Sequence, residues 1–166
     1  MRLCIQWGAQ FMNACGVNAC SKWRNQMKKT TITFLFMIAW SAIFSQTYFT
    51  KYQSIADSLE TVYRIPSSVM LAVAYHESGA GRSKLATRSH NHFGMKGKKG
   101  YQSFSSDTAS YEAFCRLLTR KKFYVKLVEC QDPKKWIAAL ANANYAGGST
   151  TWPKHVIGII NQYDLD

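Results

Sequence analysis

The segment from Pro66 to Ser78 constrains the fold of this chain more than any other feature. Its central residues, Val69–Tyr75, are apolar without interruption. Pro66 suits the first turn of a helix, and Gly79 is a usual signal for a helix end. A helix that has no polar face is stable only where protein surrounds it. The segment therefore predicts one central, buried helix around which a single domain is built.

Four further segments have the spacing or the caps of helices. The apolar residues of Tyr52–Tyr63 recur at helical intervals. Another helix begins with Ser106 or Asp107 as its cap, one runs from Asp132-Pro133 to about Ala143, and a last one runs from Pro153 to about Tyr163. We predict a polar loop over residues 79–101 and a short strand pair within 93–104. The pattern indicates a small, mainly α (α+β) domain with a short loop or hairpin.

Residues 27–45 have the form of an export signal. Met27-Lys28-Lys29 precedes about 15 apolar or small residues, a run shorter than the roughly 20 that span a membrane. We expect a signal peptide cleaved after Ser45, or a retained signal anchor, followed by one domain over 46–166. Because such a signal begins near the initiator, residues 1–26 are interpreted as an upstream extension or a mis-assigned start. The expected location is the periplasm, the cell envelope or the exterior.

The chain is strongly basic, with a formal net charge of +12 from 21 Lys and Arg against nine Asp and Glu. Such a surface favours a polyanionic partner, which is a nucleic acid, an anionic lipid surface or a bacterial wall polymer. The export signal favours the wall polymer. We therefore expect no nucleic-acid partner, membrane contact only through the N-terminal signal segment, and a monomer.

Glu77 is the candidate for acid chemistry, because it is the only acid between Glu60 and Asp107 and it ends the most apolar helix. Burial and the negative end of the helix dipole both disfavour the carboxylate form. A carboxyl group that stays protonated near neutral pH can donate its proton to a leaving oxygen, which is the first requirement of glycosidic bond cleavage. The alternative is a solvated helix end, or a pairing with Arg82 or Lys84.

The segments around Glu77 resemble glycoside hydrolase family 73, the glucosaminidase domain of bacterial autolysins and flagellar wall-piercing proteins. The resemblance lies in Tyr63–Val69, Glu77–Ala86, Asn91–Lys96 and Ser110–Phe114 and extends over about residues 52–165. It implies a lysozyme-like fold with a substrate groove between two lobes. The implied reaction is hydrolysis of the β-1,4 bond that follows N-acetylglucosamine in the glycan strands of peptidoglycan, without a cofactor.

The resemblance also implies roles for individual residues. Glu77 falls on the catalytic acid, and Asn91 and Phe93 fall on the loop that borders the groove. Tyr145 falls on a tyrosine that faces the acid and would orient the N-acetyl group of the substrate or a nearby water. Core packing is the alternative role for Tyr145 and for Phe93. Among the remaining aromatic residues, we predict that Tyr101 and Trp152 are sugar-binding platforms.

The sequence departs from the family pattern at two places. Gly147 and Gly148 replace the threonine and the acid that are expected after Tyr145-Ala146. The short segment between Lys96 and Asp107 contains no acid, whereas many members of the family carry a second functional glutamate there. The nearest candidates for a second acid are Asp107 and Glu112, which also fit a helix cap and a solvated helix residue. An inverting enzyme needs a base about 6.5–9.5 Å from the acid, and a retaining nucleophile lies at about 5–5.5 Å. Substrate assistance, in which the sugar's own acetamido oxygen attacks the anomeric carbon, is slightly favoured.

Metal and cysteine chemistry have little support in the sequence. His76 and Glu77 are adjacent in a helix and so point in different directions. His90 and His92 have no third ligand at a persuasive spacing, so no metal site is predicted. Cys115 lies in an apolar helix stripe and is interpreted as a packing residue. A disulfide between Cys115 and Cys130 and a pair of free thiols remain equally open.

Two other functions remain open at the level of sequence. A lytic transglycosylase also uses one glutamate in a lysozyme-like domain, but it cuts after N-acetylmuramic acid without consuming water. A non-catalytic wall-binding or assembly protein would fit the missing acid. The basic cluster is either a solvated face or a surface that holds the anionic wall, and it comprises Lys96–Lys99, Arg116, Arg120, Lys121 and Lys122.

Overall fold

The computed structural model describes residues 47–166, so the predicted upstream extension and the whole of the predicted export signal lie outside the described residues. The elements in chain order are α1 (residues 47–63), α2 (Ser67–Ser78), α3 (Lys84–Ser89), β1 (Lys96–Gly97), β2 (Gly100–Tyr101), α4 (Asp107–Thr119), α5 (Tyr124–Leu127), α6 (Pro133–Asn142) and α7 (Trp152–Tyr163). The mainly helical class with a short hairpin is confirmed. None of the helices from residue 47 onward is long and apolar enough to cross a membrane.

Helix α2 is the predicted central helix. Its residues 68–74 are all buried, and it packs against both α6 and α7, which also pack against each other. Pro66 stands at the N-cap, directly before the first helical residue. Gly79 ends the helix with a φ of 60°, a left-handed conformation that glycine adopts without steric cost. The helix therefore ends in a turn that leaves Glu77 near its C-terminus.

The core is rich in aromatic rings and also holds a thiol. Phe93 stacks on Phe114 with a centroid distance of 4.1 Å, and Tyr111 meets the edge of Phe93 at 5.0 Å. The Sγ atom of Cys115 lies 3.3 Å from the Sδ atom of Met70. Burial raises the pKa of Cys115 to about 12, so this thiol is a packing residue rather than a nucleophile. Within residues 47–166, Cys115 and Cys130 are both free thiols.

The segment predicted as one polar loop contains a short helix. Helix α3 is only six residues long, and Ser83 caps it by accepting a hydrogen bond from the backbone N–H of Ala86 at 3.1 Å. The strand pair is shorter than expected, with Lys96 opposite Tyr101 and Gly97 opposite Gly100. Both differences have the same cause: elements of this length have too few residues to produce a periodic pattern.

Candidate active site

Glu77 lies in an open groove of about 750 Å³ whose walls come from three parts of the fold. Helix α4 and the residues after it form one wall, the β1–β2 hairpin and its preceding loop form another, and the turn after α6 forms the third. The lining residues are Glu77, Phe93, Gly94, Met95, Lys96, Gln102, Ala113, Arg116, Leu117, Arg120, Lys121, Ala143, Asn144, Tyr145 and Gly147. Glu77 is the only acid among the residues that line this groove, and four of the others are basic.

One oxygen of the Glu77 carboxyl group is held and the other is not. The indole Nε1–H of Trp152 donates to Oε1 at 2.8 Å. The second oxygen, Oε2, faces Gly94, where a Cβ atom would lie 4.0 Å away. Gly94 has a φ of +61°, so a side chain there would be strained as well as close to the acid. Oε2 thus lies beside Gly94 without a hydrogen bond from the described residues.

Tyr145 joins Glu77 in the groove. Its hydroxyl donates to the backbone oxygen of Phe93 at 3.3 Å, and its ring centroid lies 5.6 Å from that of Trp152. Burial and, secondarily, the negative charge of Glu77 raise the pKa of Tyr145 well above its ordinary value. The phenol therefore stays protonated and acts as a hydrogen-bond donor beside the acid.

Asn91 and Phe93 lie at the loop that borders the groove, but their side chains are buried. Asn91 is 1% exposed and makes three hydrogen bonds: its Nδ2 donates to the carbonyls of Met95 and Gln102, and its Oδ1 accepts from the N–H of Met95. Phe93 is 3% exposed and stacks on Phe114. Both side chains hold the loop in shape, so core packing describes Phe93 better than sugar stacking does.

The two predicted sugar platforms have different surroundings. Trp152 is 4% exposed, which leaves no ring face for a sugar, and its structural contact is the hydrogen bond to Glu77. This burial favours a packing role for the ring over the predicted platform role. Tyr101 is 59% exposed, and the Lys96 ammonium lies 5.1 Å from its ring centroid. Tyr101 is on the hairpin but is not among the residues that line the groove.

Asp107, one candidate for the second acid, belongs to a polar cluster away from the groove lining. It accepts hydrogen bonds from His90 Nδ1 at 2.6 Å and from the Tyr52 hydroxyl at 2.9 Å. The Nε2 atom of buried His92 lies 3.2 Å from Asp107 but is not aligned for a hydrogen bond. Burial by itself would raise the pKa of Asp107, but these partners outweigh burial and lower the pKa to about 2. Ser106, not Asp107, caps α4.

Glu112, the other candidate for the second acid, lies on α4. Arg116 donates to its Oε1 at 2.6 Å, and this hydrogen bond lowers the pKa of the carboxyl group. Glu112 is absent from the groove lining, as is Asp107. The groove therefore brings together Glu77 and Tyr145 but neither candidate for a second acid.

We expect the substitution Asp107→Asn to destabilise the domain in a pH-dependent way. A pKa of about 2 in the folded state, against an ordinary value of about 3.9, corresponds to about 1–2 kcal/mol of stabilisation at pH 7 once solvent screening of this partly exposed carboxyl group is included. Because the folded-state pKa is depressed, this contribution is complete above about pH 4 and disappears as the pH falls through about 2. Urea unfolding of both proteins between pH 7 and pH 2.5 measures it. A difference in stability that stays constant over this range would contradict the prediction.

Several features of the site were not predicted from sequence. The hydrogen bond from Trp152 to Glu77 joins residues 75 positions apart, and Gln102 and Asn144 reach the groove from the hairpin and the turn after α6. The only sequence signal for Trp152 was its aromatic character next to Pro153. That signal identifies an important ring but not its partner.

The fold and the site thus combine a mainly helical domain with one carboxylic acid that lines an open groove at the end of a buried helix, an arrangement compatible with glycoside hydrolysis. Residues 53–165 match the glucosaminidase family, described as mannosyl-glycoprotein endo-beta-N-acetylglucosaminidase. The chain belongs to this family of glycoside hydrolases.

Individual proteins are similar over different lengths. Protein bax of Escherichia coli (strain K12) is 42% identical over 77 residues, which are 40% of this chain and 28% of that protein. The chain thus spans less than a third of the length of this curated relative.

Solved structures extend the comparison to the fold. The catalytic domain of the autolysin Auto from Listeria monocytogenes has a TM-score of 0.64 at 24% identity, with 74% of this chain and 85% of that chain covered. A truncated glycoside hydrolase domain of Salmonella typhimurium FlgJ has a TM-score of 0.63 at 21% identity, with 74% and 99% covered. A type VI secretion system effector–immunity complex from Pseudomonas protegens has a TM-score of 0.58 at 19% identity, with 74% and 95% covered. These similarities establish the shared fold.

Proposed function

We propose that this domain is a peptidoglycan hydrolase that cleaves the β-1,4 bond following N-acetylglucosamine, with Glu77 as its general acid. The observation that carries the proposal is the position of Glu77, which is the only acid lining a groove of about 750 Å³. Its Oε1 is fixed by Trp152, and its Oε2, which lies beside Gly94, is the oxygen that we assign to proton exchange with the substrate. The autolysin and the glycoside hydrolase domain that share the fold support the same substrate class.

The absence of a second acid from the groove lining favours the substrate-assisted route. Glu77 Oε2 gives its proton to the glycosidic oxygen as the bond to the anomeric carbon breaks. The acetamido oxygen of the same sugar attacks that carbon and forms a cyclic intermediate. Water then adds to the anomeric carbon as the bond from that carbon to the acetamido oxygen breaks, which restores the acetamido group, and the water gives a proton to the Glu77 carboxylate, which regenerates the acid. The Tyr145 hydroxyl donates its proton to the Phe93 carbonyl, so its oxygen is free to accept a hydrogen bond from the acetamido N–H and orient that group.

Product analysis tests the proposed reaction. The purified protein is incubated with purified peptidoglycan, and the soluble fragments are reduced with borohydride and measured by mass spectrometry. Fragments that end in reducible N-acetylglucosamine are the expected products. Anhydro-muramic ends would show a lytic transglycosylase instead. Wall binding without any release would show a non-catalytic wall protein.

We expect the substitution Tyr145→Phe to lower kcat/KM for peptidoglycan by about tenfold, which equals about 1.4 kcal/mol of transition-state stabilisation. Phenylalanine keeps the ring that packs against Phe114 and Trp152 and removes only the hydroxyl. The loss should appear in kcat if the hydroxyl orients the acetamido group during reaction. Steady-state kinetics and the thermal unfolding midpoint are measured together. Unchanged kinetics would assign the tyrosine to packing.

A further inference from the structure

A strip of cations leads away from the catalytic groove along the end of α4 and into α5. It comprises Arg120, Lys121, Lys122 and Lys126, which we call the cationic strip. In the part of the chain from residue 47, the carboxylates that form salt bridges are Asp107 and Glu112, and their partners lie outside the strip. The strip therefore presents four positive charges without an internal counterion. Like charges this close repel one another, so an anionic ligand is favoured there.

A second cavity, of about 480 Å³, opens beside the strip. Its apolar surface includes Phe123 and Ala139, and its rim carries Lys121, Lys122 and Lys126. Lys121 and Ala143 line both this side cavity and the groove that holds Glu77, so the two spaces adjoin. A volume of this size lies within the range of about 300–1,000 Å³ that is typical of sites for small ligands.

The chemistry of the side cavity indicates the part of a cell-wall polymer that it would take. N-acetylglucosamine is uncharged, so the glycan strand itself offers few carboxylates to the ammonium groups of Lys121, Lys122 and Lys126. The peptide that branches from each muramic acid has several carboxylates together with small methyl side chains. Lys ammonium groups attract carboxylates as point charges, and the ring of Phe123 with Ala139 offers apolar contact for the methyl groups. A branch leaving a strand in the groove would reach a cavity that adjoins the groove.

We propose that the side cavity is a subsite for the acidic stem peptide of peptidoglycan, with Lys122 and Lys126 as the residues that bind its carboxylates. This subsite rests on the proposed function, since it assumes that the adjoining groove holds the glycan. It makes the enzyme selective for strands that still carry their peptides.

The test compares one variant on two substrates. The variant is Lys122→Gln/Lys126→Gln, whose positions line the side cavity but not the catalytic groove. The substrates are soluble glycan strands of one length, with their peptides and after an amidase has removed them. We expect kcat/KM for the peptide-bearing strands to fall about fivefold, which equals about 1 kcal/mol, with less than a twofold change for the peptide-free strands.

A matched control separates the subsite from general attraction to a polyanion. Lys134→Gln/Lys135→Gln removes the same charge from two exposed residues of α6 that line neither cavity. We expect this control to leave kcat/KM unchanged on both substrates. An equal loss in the control, an equal loss on both substrates, or no loss in the double variant would each overturn the proposal.

Failure of the subsite and failure of the proposed function give different results. If the unmodified protein cleaves neither substrate, the hydrolase proposal fails, and titration calorimetry with a soluble peptide-bearing muropeptide then decides on the subsite. Muropeptide binding that weakens at least fivefold in Lys122→Gln/Lys126→Gln, but not in the control, would support the proposed subsite. Absence of such binding would overturn the subsite and leave the cationic strip without an assigned ligand. Tighter binding of linear polyphosphate than of the muropeptide would also overturn it and would assign the strip to a phosphate polymer.

Discussion

Replacement of Glu77 by glutamine is expected to lower kcat/KM for peptidoglycan by about 10³–10⁴-fold, at the upper end of the effect of a general acid. The amide has the shape of the carboxyl group, and its oxygen can still accept the hydrogen bond that Trp152 donates to Oε1. It cannot give a proton to the glycosidic oxygen or accept one from water. Since glutamine preserves packing and the Trp152 contact, the thermal unfolding midpoint should change little.

Glu112→Gln is the matched control for Glu77→Gln. Glu112 is also a helix glutamate, but it pairs with Arg116 and does not line the groove. This variant should keep kcat/KM within a few-fold of the unmodified protein, because it loses the charge of one exposed ion pair, while the amide oxygen can still accept hydrogen bonds from Arg116 and Tyr63. Residual activity above one tenth in Glu77→Gln would contradict the assignment of the acid. A severe loss in Glu112→Gln would make Glu112 a functional acid.

The second large effect is expected from Trp152→Phe, which removes the indole N–H and keeps an aromatic ring. The N–H donates to Glu77 Oε1 at 2.8 Å and thereby fixes the orientation of the carboxyl group. A hydrogen bond to a charged group contributes about 1.5–3 kcal/mol, so kcat should fall by about 10–100-fold. KM should change little, because Trp152 is buried and is not among the residues that line the groove. Steady-state kinetics that separate kcat from KM measure this effect.

Trp136→Phe controls for the loss of any buried indole N–H. Trp136 Nε1 donates to the backbone oxygen of Cys130 at 2.7 Å, and the ring is fully buried in the core. This variant should lose stability with kcat unchanged. A fall in kcat that matched that of Trp152→Phe would show that both rings act through the fold, and the positioning role of Trp152 would then be wrong.

Much of the fold could be predicted because its signals are local. The uninterrupted apolar run of α2, the glycine after its end and the Asp132-Pro133 start of α6 each depend on residues within a few positions of one another. The six-residue helix α3 and the two-residue strands were missed or only approximated, because they are too short for periodicity to appear. Their positions depend on contacts such as those of Asn91 with Met95 and Gln102.

For the site, the sequence by itself determined that Glu77 is an isolated acid at the end of a buried helix, since this follows from the order of residues along one element. Only the tertiary structure decided what surrounds that acid. It placed Trp152 on Oε1 and Tyr145 beside it, and it placed Asp107 in a cluster with His90 and Tyr52 instead of in the groove. These contacts join residues 17 to 75 positions apart. Such pairings are set by how helices pack around a shared core, and no local pattern of residues encodes them.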